Sequence, residues 1–193
     1  MVAQPEQWRP VRANARRNRE KLLVAALEEF NRVGGDASLE GIARRAGVGI
    51  ATLYRHFPTR EGLVLASYQH EVDQLCAAAD ELLAKLPPDE ALRAWMDLLA
   101  ALTVAKQHMS QALQSSIGSD SWSAESLGQV RGTIDRLLTA AVEAGLIRSD
   151  LETGDVVLAM SGLLRLDVTQ DWRGQAGRLL DLLMDGLRAG PRR

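Results

Sequence analysis

The sequence predicts an all-α fold, and three observations support this. Of the 193 residues, 46% are apolar but only 4% are aromatic, so leucine, alanine and valine carry the apolar share. Leucine and alanine favour helix, and a shortage of aromatic residues argues against an all-β core. Apolar residues recur at intervals of three and four along most of the chain, which is the spacing of one helix face. No segment shows the alternation of β-branched residues that is typical of strands.

Composition excludes several classes of protein. No apolar run approaches the roughly 18 residues of a membrane span, and the segment from Met1 to Arg19 lacks the apolar stretch of a secretory signal. Cys76 is the only cysteine, which leaves no internal disulfide and no cysteine-based metal cluster. We therefore expect an intracellular, cytoplasmic protein that does not span a membrane.

The sequence contains no recognisable catalytic motif. His56, His70 and His108 have no metal-ligand spacing, and His70-Glu71 lacks the second histidine of a zinc-protease helix. A nucleophile motif of the form Gly-x-Ser-x-Gly does not occur. The prediction is a protein that is not an enzyme and that binds neither a metal nor a cofactor.

The chain begins with a predicted flexible arm and a long helix. Residues 1–12 are polar, contain two prolines and are expected to form the arm. The first helix is predicted to begin at Asn14 and to end at Gly34. Its apolar stripe has the helical spacing i, i+3, i+4 and i+7 and consists of Leu23, Ala26, Leu27 and Phe30.

Residues 38–57, SLEGIARRAGVGIATLYRHF, have the pattern of a helix-turn-helix. Ser38 is a suitable N-cap for the first short helix, Gly47 can make the left-handed turn at its end, and Pro58 stops the second helix. The second helix exposes a short, mostly polar set of side chains that suits the major groove and DNA phosphates. This set consists of Ile50, Ala51, Thr52, Tyr54, Arg55 and His56.

The remainder of the chain is predicted to be helical. Thr59 is a good cap for a fourth helix, which continues to about Leu86, where two prolines follow. Residues 117–126 are rich in Gly, Ser and Asp and are expected to form a loop. The other helices are expected at Leu92–Met109, Leu127–Ala144, Asp155–Leu166 and Trp172–Ala189.

The last helix has an unusually wide apolar face. Its apolar residues span an arc of about 200°, whereas a surface helix needs a stripe only a little wider than about 100°. The excess width requires a second subunit or, alternatively, a central position in the core of the same chain. The residues expected in a dimer interface are Leu179, Leu180, Leu182, Leu183, Met184 and Leu187.

Charge is unevenly distributed along the chain. Residues 1–60 carry 11 Lys and Arg against 6 Asp and Glu, whereas residues 61–193 carry 12 against 19. A basic N-terminal part on an acidic body is typical of a nucleic-acid-binding protein with a separate regulatory part. From charge alone, a chance distribution over the surface remains an alternative.

The run from Arg17 to Leu65 resembles the DNA-binding domain of TetR-family transcriptional regulators. The similarity lies in AALEEFNRVG and in SLEGIARRAGVGIATLYRHFPTREGLV, and TLYRHFPTRE is its most specific part. The C-terminal segment RLLDLLMDGL looks like a dimerisation helix of the same family. The resemblance implies a DNA-binding domain at residues 13–58 and a body at residues 59–193 that dimerises and senses a ligand.

The resemblance also implies individual roles. Thr52, Tyr54 and His56 match phosphate-holding positions, whereas Ile50, Ala51 and Arg55 match positions that face base edges. Arg60 matches a basic position at the start of the fourth helix that meets the DNA backbone.

Three further residues belong to the predicted DNA-binding set. Gly49 stands where the family commonly has serine, so one hydroxyl cap is missing at the start of the second helix. Arg44 and Arg45 are candidates for additional phosphate contacts, and a solvated helix face is the alternative.

Large apolar residues in the body occur among polar ones, which is compatible with a ligand cavity. Plain core filling is the alternative, and the family resemblance implies that some cavity exists. The candidate ligand-contacting residues are Trp95, Met96, Leu99, His108, Met109, Gln111, Trp122 and Met160.

Together these features predict a homodimeric transcriptional repressor. We expect it to bind a palindromic DNA operator and to be released by a small, largely apolar ligand. One alternative is a ligand-independent DNA-binding protein with a solid body. The other is a helical-bundle enzyme or carrier that has kept a helix-turn-helix-like segment.

Overall fold

The computed structural model describes residues 9–113, 124–162 and 171–190. Within these ranges the chain forms eight α-helices and no strand, which confirms the predicted all-α fold. None of the described helices is long and apolar enough to cross a membrane. The helices are α1 (Arg9–Val33), α2 (Leu39–Ala46), α3 (Ile50–His56), α4 (Arg60–Leu83), α5 (Pro88–Leu113), α6 (Ala124–Glu143), α7 (Thr153–Met160) and α8 (Trp172–Arg188).

Several helix boundaries differ from the sequence predictions; α5, for example, spans Pro88–Leu113 rather than the predicted Leu92–Met109. Helix α1 begins at Arg9, inside the predicted arm, because Pro10 lies in the first turn, where a helix requires no backbone N–H donor. Helix α7 ends at Met160, and the rest of the helix predicted up to Leu166 falls largely outside the described residues.

The chain packs as two units, and the division falls inside α4. The first unit comprises the chain up to His70 and the end of α5 from His108, and the second comprises Glu71–Gln107 and the chain from α6 onward. The sequence predicted this boundary at residue 58, two residues after the end of α3. The first turns of α4 instead belong to the first unit, since Leu63 and Val64 are fully buried.

The first unit is a small helical domain with its own core. Local signals set its helix ends: the Ser38 hydroxyl accepts a hydrogen bond from the Gly41 amide at 3.0 Å, and the Thr59 hydroxyl accepts one from the Gly62 amide at 3.0 Å. The core is apolar and draws on all four helices, with Leu22, Ala26, Phe30, Ile42, Ala43, Leu53 and Leu63 among its buried members.

The second unit is a helical body in which ion pairs connect helices that are far apart in the sequence. Arg93 of α5 contacts Asp181 of α8 at 2.8 Å, and Arg188 at the end of α8 contacts Asp89 at 2.6 Å. The core beneath these contacts is apolar and includes Leu92, Trp95, Met96, Ile134, Leu137, Val156, Leu180 and Met184. Helix α8 therefore packs against its own chain along one side.

Candidate DNA-binding interface

Helices α2 and α3 form the predicted helix-turn-helix. Gly47 ends α2 in the left-handed region with φ of 67°, a conformation that glycine adopts without steric cost. The Thr52 amide then donates to the Gly49 carbonyl at 2.8 Å, so α3 begins directly after the turn. On the inner side, Ile42 and Leu53 are fully buried. The turn thus fixes the angle between α2 and α3.

The outer face of α3 presents the side chains that the sequence singled out. Tyr54 is 46% exposed and Ile50 is 36% exposed, although both are large and partly apolar. Ala51 and Arg55 are also exposed, whereas Thr52 and His56 are half-buried. A short helix with exposed aromatic, aliphatic and basic side chains provides the mixture of contacts that base edges and phosphates require.

Arg60 is engaged within the first unit. Its guanidinium donates to the carbonyl oxygen of Ala37 and lies 5.2 Å from the centroid of the Phe30 ring. The sequence assigned this residue to DNA phosphates. In the structure it connects the start of α4 to the segment before α2, so a phosphate contact of Arg60 stays a prediction.

Arg45 has acidic partners inside the protein. Its Nε donates to Glu29 and its Nη1 to Glu28, both at 3.2 Å, which joins α2 to α1. The guanidinium is thus paired with two carboxylates in the free protein, and a phosphate contact of Arg45 stays a prediction. The neighbouring Arg44 is exposed and remains a candidate for phosphate.

Glu29 is a structural residue that the sequence analysis missed. It is only 7% exposed, and its carboxylate accepts hydrogen bonds from Arg32 and Arg45. The hydrogen bond from Arg32 holds the pKa of Glu29 below its usual value, with Arg45 adding to the effect. Glu29 lies three residues after Ala26 and seven after Leu22, on the apolar face of α1. That position was an available signal, since a carboxylate on an apolar face needs a basic partner.

The predicted ligand-contacting residues whose side chains are described are buried or half-buried in the body. Trp95 and Met96 are fully buried, and the Trp95 indole donates to the Leu75 carbonyl at 2.8 Å. Met160 is also buried and Leu99 is half-buried. These are core positions. Trp122 lies outside the described residues, as do the side chains of His108, Met109 and Gln111.

A groove that the sequence analysis did not anticipate lies between α6 and the start of α7. It has a volume of about 720 Å³. Its lining combines apolar and charged side chains and includes Gly128, Arg131, Gly132, Asp135, Leu138, Val142, Leu151 and Thr153. Glycine at two positions one helical turn apart leaves the floor of the groove without side chains.

The wide apolar face of α8 is divided between the chain's own core and its surface. Leu180, Met184 and Leu187 are buried in the second unit, which corrects their assignment to a dimer interface. Leu182 is 71% exposed, and Leu179 is also exposed. Leu183 is half-buried. On α7, Leu158 is 72% exposed, so this helix too has an apolar surface residue.

Comparisons with known proteins agree with this architecture. A family model described as bacterial regulatory proteins of the tetR family matches residues 22–67, and one described as the C-terminal domain of SbtR-like transcriptional regulators matches residues 87–189.

Two of the solved structures that resemble the chain over most of its length are bacterial TetR regulators. The TetR transcriptional regulator SCO0520 from Streptomyces coelicolor is 46% identical with a TM-score of 0.80, and the match covers 88% of this chain and 98% of that one. A TetR transcription regulatory protein from Mycobacterium vanbaalenii is 31% identical with a TM-score of 0.77, covering 93% and 100% respectively.

A shorter sequence match reaches a third regulator. The HTH-type transcriptional regulator SAR0097 from Staphylococcus aureus is 32% identical over 80 residues, which is 40% of this chain. The match spans 41% of the length of that relative.

Proposed function

Because the chain belongs to the TetR family of transcriptional regulators, we propose that it is a homodimeric repressor whose α3 helices read the two halves of a palindromic operator. The observation that carries this proposal is the outer face of α3, where Tyr54, Arg55 and Ile50 project from a helix whose inner side is anchored by Leu53. Two such helices related by a two-fold axis match half-sites about 34 Å apart.

The exposed leucines of α7 and α8 support the dimer. Leu158 and Leu182 are each more than two-thirds exposed in the single chain, and both lie in the second unit. Removing a leucine from water contributes about 1.5–3 kcal/mol, and a two-fold interface buries every such residue twice. A symmetric pairing of α7 and α8 with their counterparts makes a four-helix arrangement.

The DNA-reading role of α3 is tested with substitutions on its outer face. We expect Tyr54→Ala to weaken binding to all duplexes, because a phosphate contact is independent of sequence. Arg55→Ala is expected to cost about 1–3 kcal/mol and to relax the preference at one base pair, since arginine pairs with guanine through two hydrogen bonds. Fluorescence anisotropy on an operator obtained by in vitro selection, and on its single-base variants, measures both effects.

Lys85→Ala is the matched control, because it removes a positive charge from an exposed residue of the second unit. It should leave affinity and base preference unchanged. Full affinity in a Tyr54→Ala/His56→Ala double variant would contradict the assignment of α3.

Release by a small apolar ligand is the second part of the proposal. A ligand can shift the protein toward a non-binding state only through its differential affinity for that state. The coupling is typically about 1–3 kcal/mol and is reciprocal. We therefore expect a ligand found by thermal-shift screening to bind about 5- to 150-fold more weakly in the presence of operator DNA.

Calorimetric titration of that ligand with and without operator measures the coupling. Equal affinities would exclude an inducer, and tighter binding with operator would indicate a corepressor. The full burial of Trp95 and Met96 favours a second candidate function, a ligand-independent DNA-binding protein with a solid body. That candidate predicts equal affinities for every compound that binds.

A further inference from the structure

Glu29 is a buried carboxylate between α1 and α2 of the first unit. Within the described ranges it is the most buried acidic residue of the chain. Burial of a carboxylate costs free energy, and replacement of a buried ion pair by apolar side chains is often neutral or stabilising. Stability alone therefore does not explain why the chain has a glutamate at this position.

The carboxylate of Glu29 lies beside both ends of α2. Near the C-terminal end, Arg45 donates from Nε to Oε2 at 3.2 Å. At the N-terminal end, Oε1 lies 3.8 Å from the place that a Cβ on Gly41, the third residue of α2, would occupy. The free amides of that turn carry the positive end of the helix dipole, which favours a carboxylate there. Because α2 has only eight residues, this one side chain spans most of its length.

The apolar residues around this contact are small. Ala25 and Ala26 of α1 are buried, as are Ala43 and Ala46 of α2. Apolar contacts are non-directional, whereas a hydrogen bond between charged groups requires a particular distance and angle. Buried polar groups fix the register of helix pairs in this way. The bond from Arg45 to Glu29 thus fixes how α2 lies along α1.

The position of α2 determines that of α3. The Val48 amide, in the turn between the two helices, donates to the Ala43 carbonyl at 3.0 Å, and the Gly47 amide donates to the Arg44 carbonyl at 3.1 Å. These bonds hold the turn against α2, so a shift of α2 on α1 moves α3 with it. Hydrogen bonds to base edges tolerate only a narrow range of distances and angles. Base readout therefore depends on the crossing of α1 and α2.

We propose that Glu29 is a positioning residue for DNA recognition, which holds Arg45 and thereby fixes the direction in which α3 faces the operator. It acts through α2 rather than by touching DNA. This inference rests on the proposed role of α3. A positioning role changes the preference for operator over other DNA, whereas loss of a negative charge by itself strengthens binding to every duplex.

The test compares Glu29→Gln with Glu28→Gln. Both substitutions remove one negative charge and weaken one hydrogen bond from Arg45, but Glu28 is exposed. We expect Glu29→Gln to lower the ratio of operator affinity to random-sequence affinity about tenfold, and Glu28→Gln to change it less than about twofold. Fluorescence anisotropy on the selected operator, its single-base variants and a random-sequence duplex measures this ratio.

Arg45→Lys tests the same contact without a change of charge. An ammonium group lacks the planar fork that bonds two glutamates at once. We expect the operator preference to fall about tenfold, as in Glu29→Gln, while the dependence of affinity on salt stays that of the wild type. Arg44→Lys is the matched control at the neighbouring exposed position and should leave the preference unchanged. Circular dichroism verifies that each variant is folded under the assay conditions.

Equal effects of Glu29→Gln and Glu28→Gln on the operator preference would overturn the proposal, and so would an unchanged preference in Arg45→Lys. Tyr54→Ala must lower operator affinity in the same assay. If it does so while Glu29→Gln keeps the wild-type preference, the positioning role fails and the role of α3 stands. If Tyr54→Ala binds like the wild type, the role of α3 fails, and the positioning role fails with it.

Discussion

Leu182→Glu is expected to convert the dimer into a monomer. Leu182 is the most exposed leucine of α8, and in a two-fold interface the substitution places two unpaired carboxylates in an apolar contact. Loss of both leucines and desolvation of both charges together cost several kcal/mol. Light scattering at micromolar concentration should give 21.1 kDa for the variant and twice that mass for the wild type.

The same variant should lose most of its operator affinity while keeping its fold. A monomer contacts one half-site, and the second contact of a dimer contributes about 10²- to 10⁴-fold through effective concentration. Leu98→Glu is the control, since Leu98 is an exposed leucine of α5 and lies outside α7 and α8. A dimeric mass for Leu182→Glu would show that α8 does not form the interface.

Trp95→Ala is expected to destabilise the second unit by about 3–5 kcal/mol, because it removes the largest fully buried side chain of the described core and leaves a cavity. Trp95→Phe retains most of the apolar volume but loses the indole hydrogen bond to the Leu75 carbonyl. That loss should cost about 0.5–1.5 kcal/mol, since the carbonyl keeps its position within a helix. Chemical denaturation followed by circular dichroism at fixed protein concentration measures both changes.

This pair of substitutions also decides between a core position and a ligand-contacting one. A core tryptophan predicts a large difference in unfolding free energy between the alanine and phenylalanine variants. If Trp95→Ala were as stable as the wild type but altered the response to a ligand, Trp95 would line a cavity, as the sequence analysis considered.

The helix-turn-helix could be predicted almost completely from the sequence, and the resemblance to the TetR family is confirmed. Its signals are local: the Ser38 cap, the left-handed Gly47 and the stop before Pro58 each depend on atoms within about one helical turn. Such interactions form regardless of how the helix packs against the rest of the protein. The exposed face of α3 follows from the same periodicity, because Leu53 has to point inward.

Charged residues were less predictable, as two neighbouring arginines show. Arg44 and Arg45 are the same residue type and lie side by side in α2, yet only Arg45 contacts Glu28 and Glu29 of α1. The difference depends on how α1 and α2 cross. At the crossing, Arg45 meets two glutamates that precede it in the sequence by 16 and 17 positions. A pattern within one helix contains no information about such a crossing.

The sequence by itself determined the helical class, the helix-turn-helix and the amphipathic character of α8. Only the tertiary structure decided which part of that apolar face is buried: Leu180 and Met184 lie in the core, whereas Leu182 faces outward. The physical reason is that helix periodicity depends only on local backbone geometry, whereas burial depends on which other helices pack against α8. One such helix is α5, whose Arg93 pairs with Asp181 of α8 across 88 positions of sequence. Long-range packing therefore assigns core and surface within a face that the sequence leaves uniform.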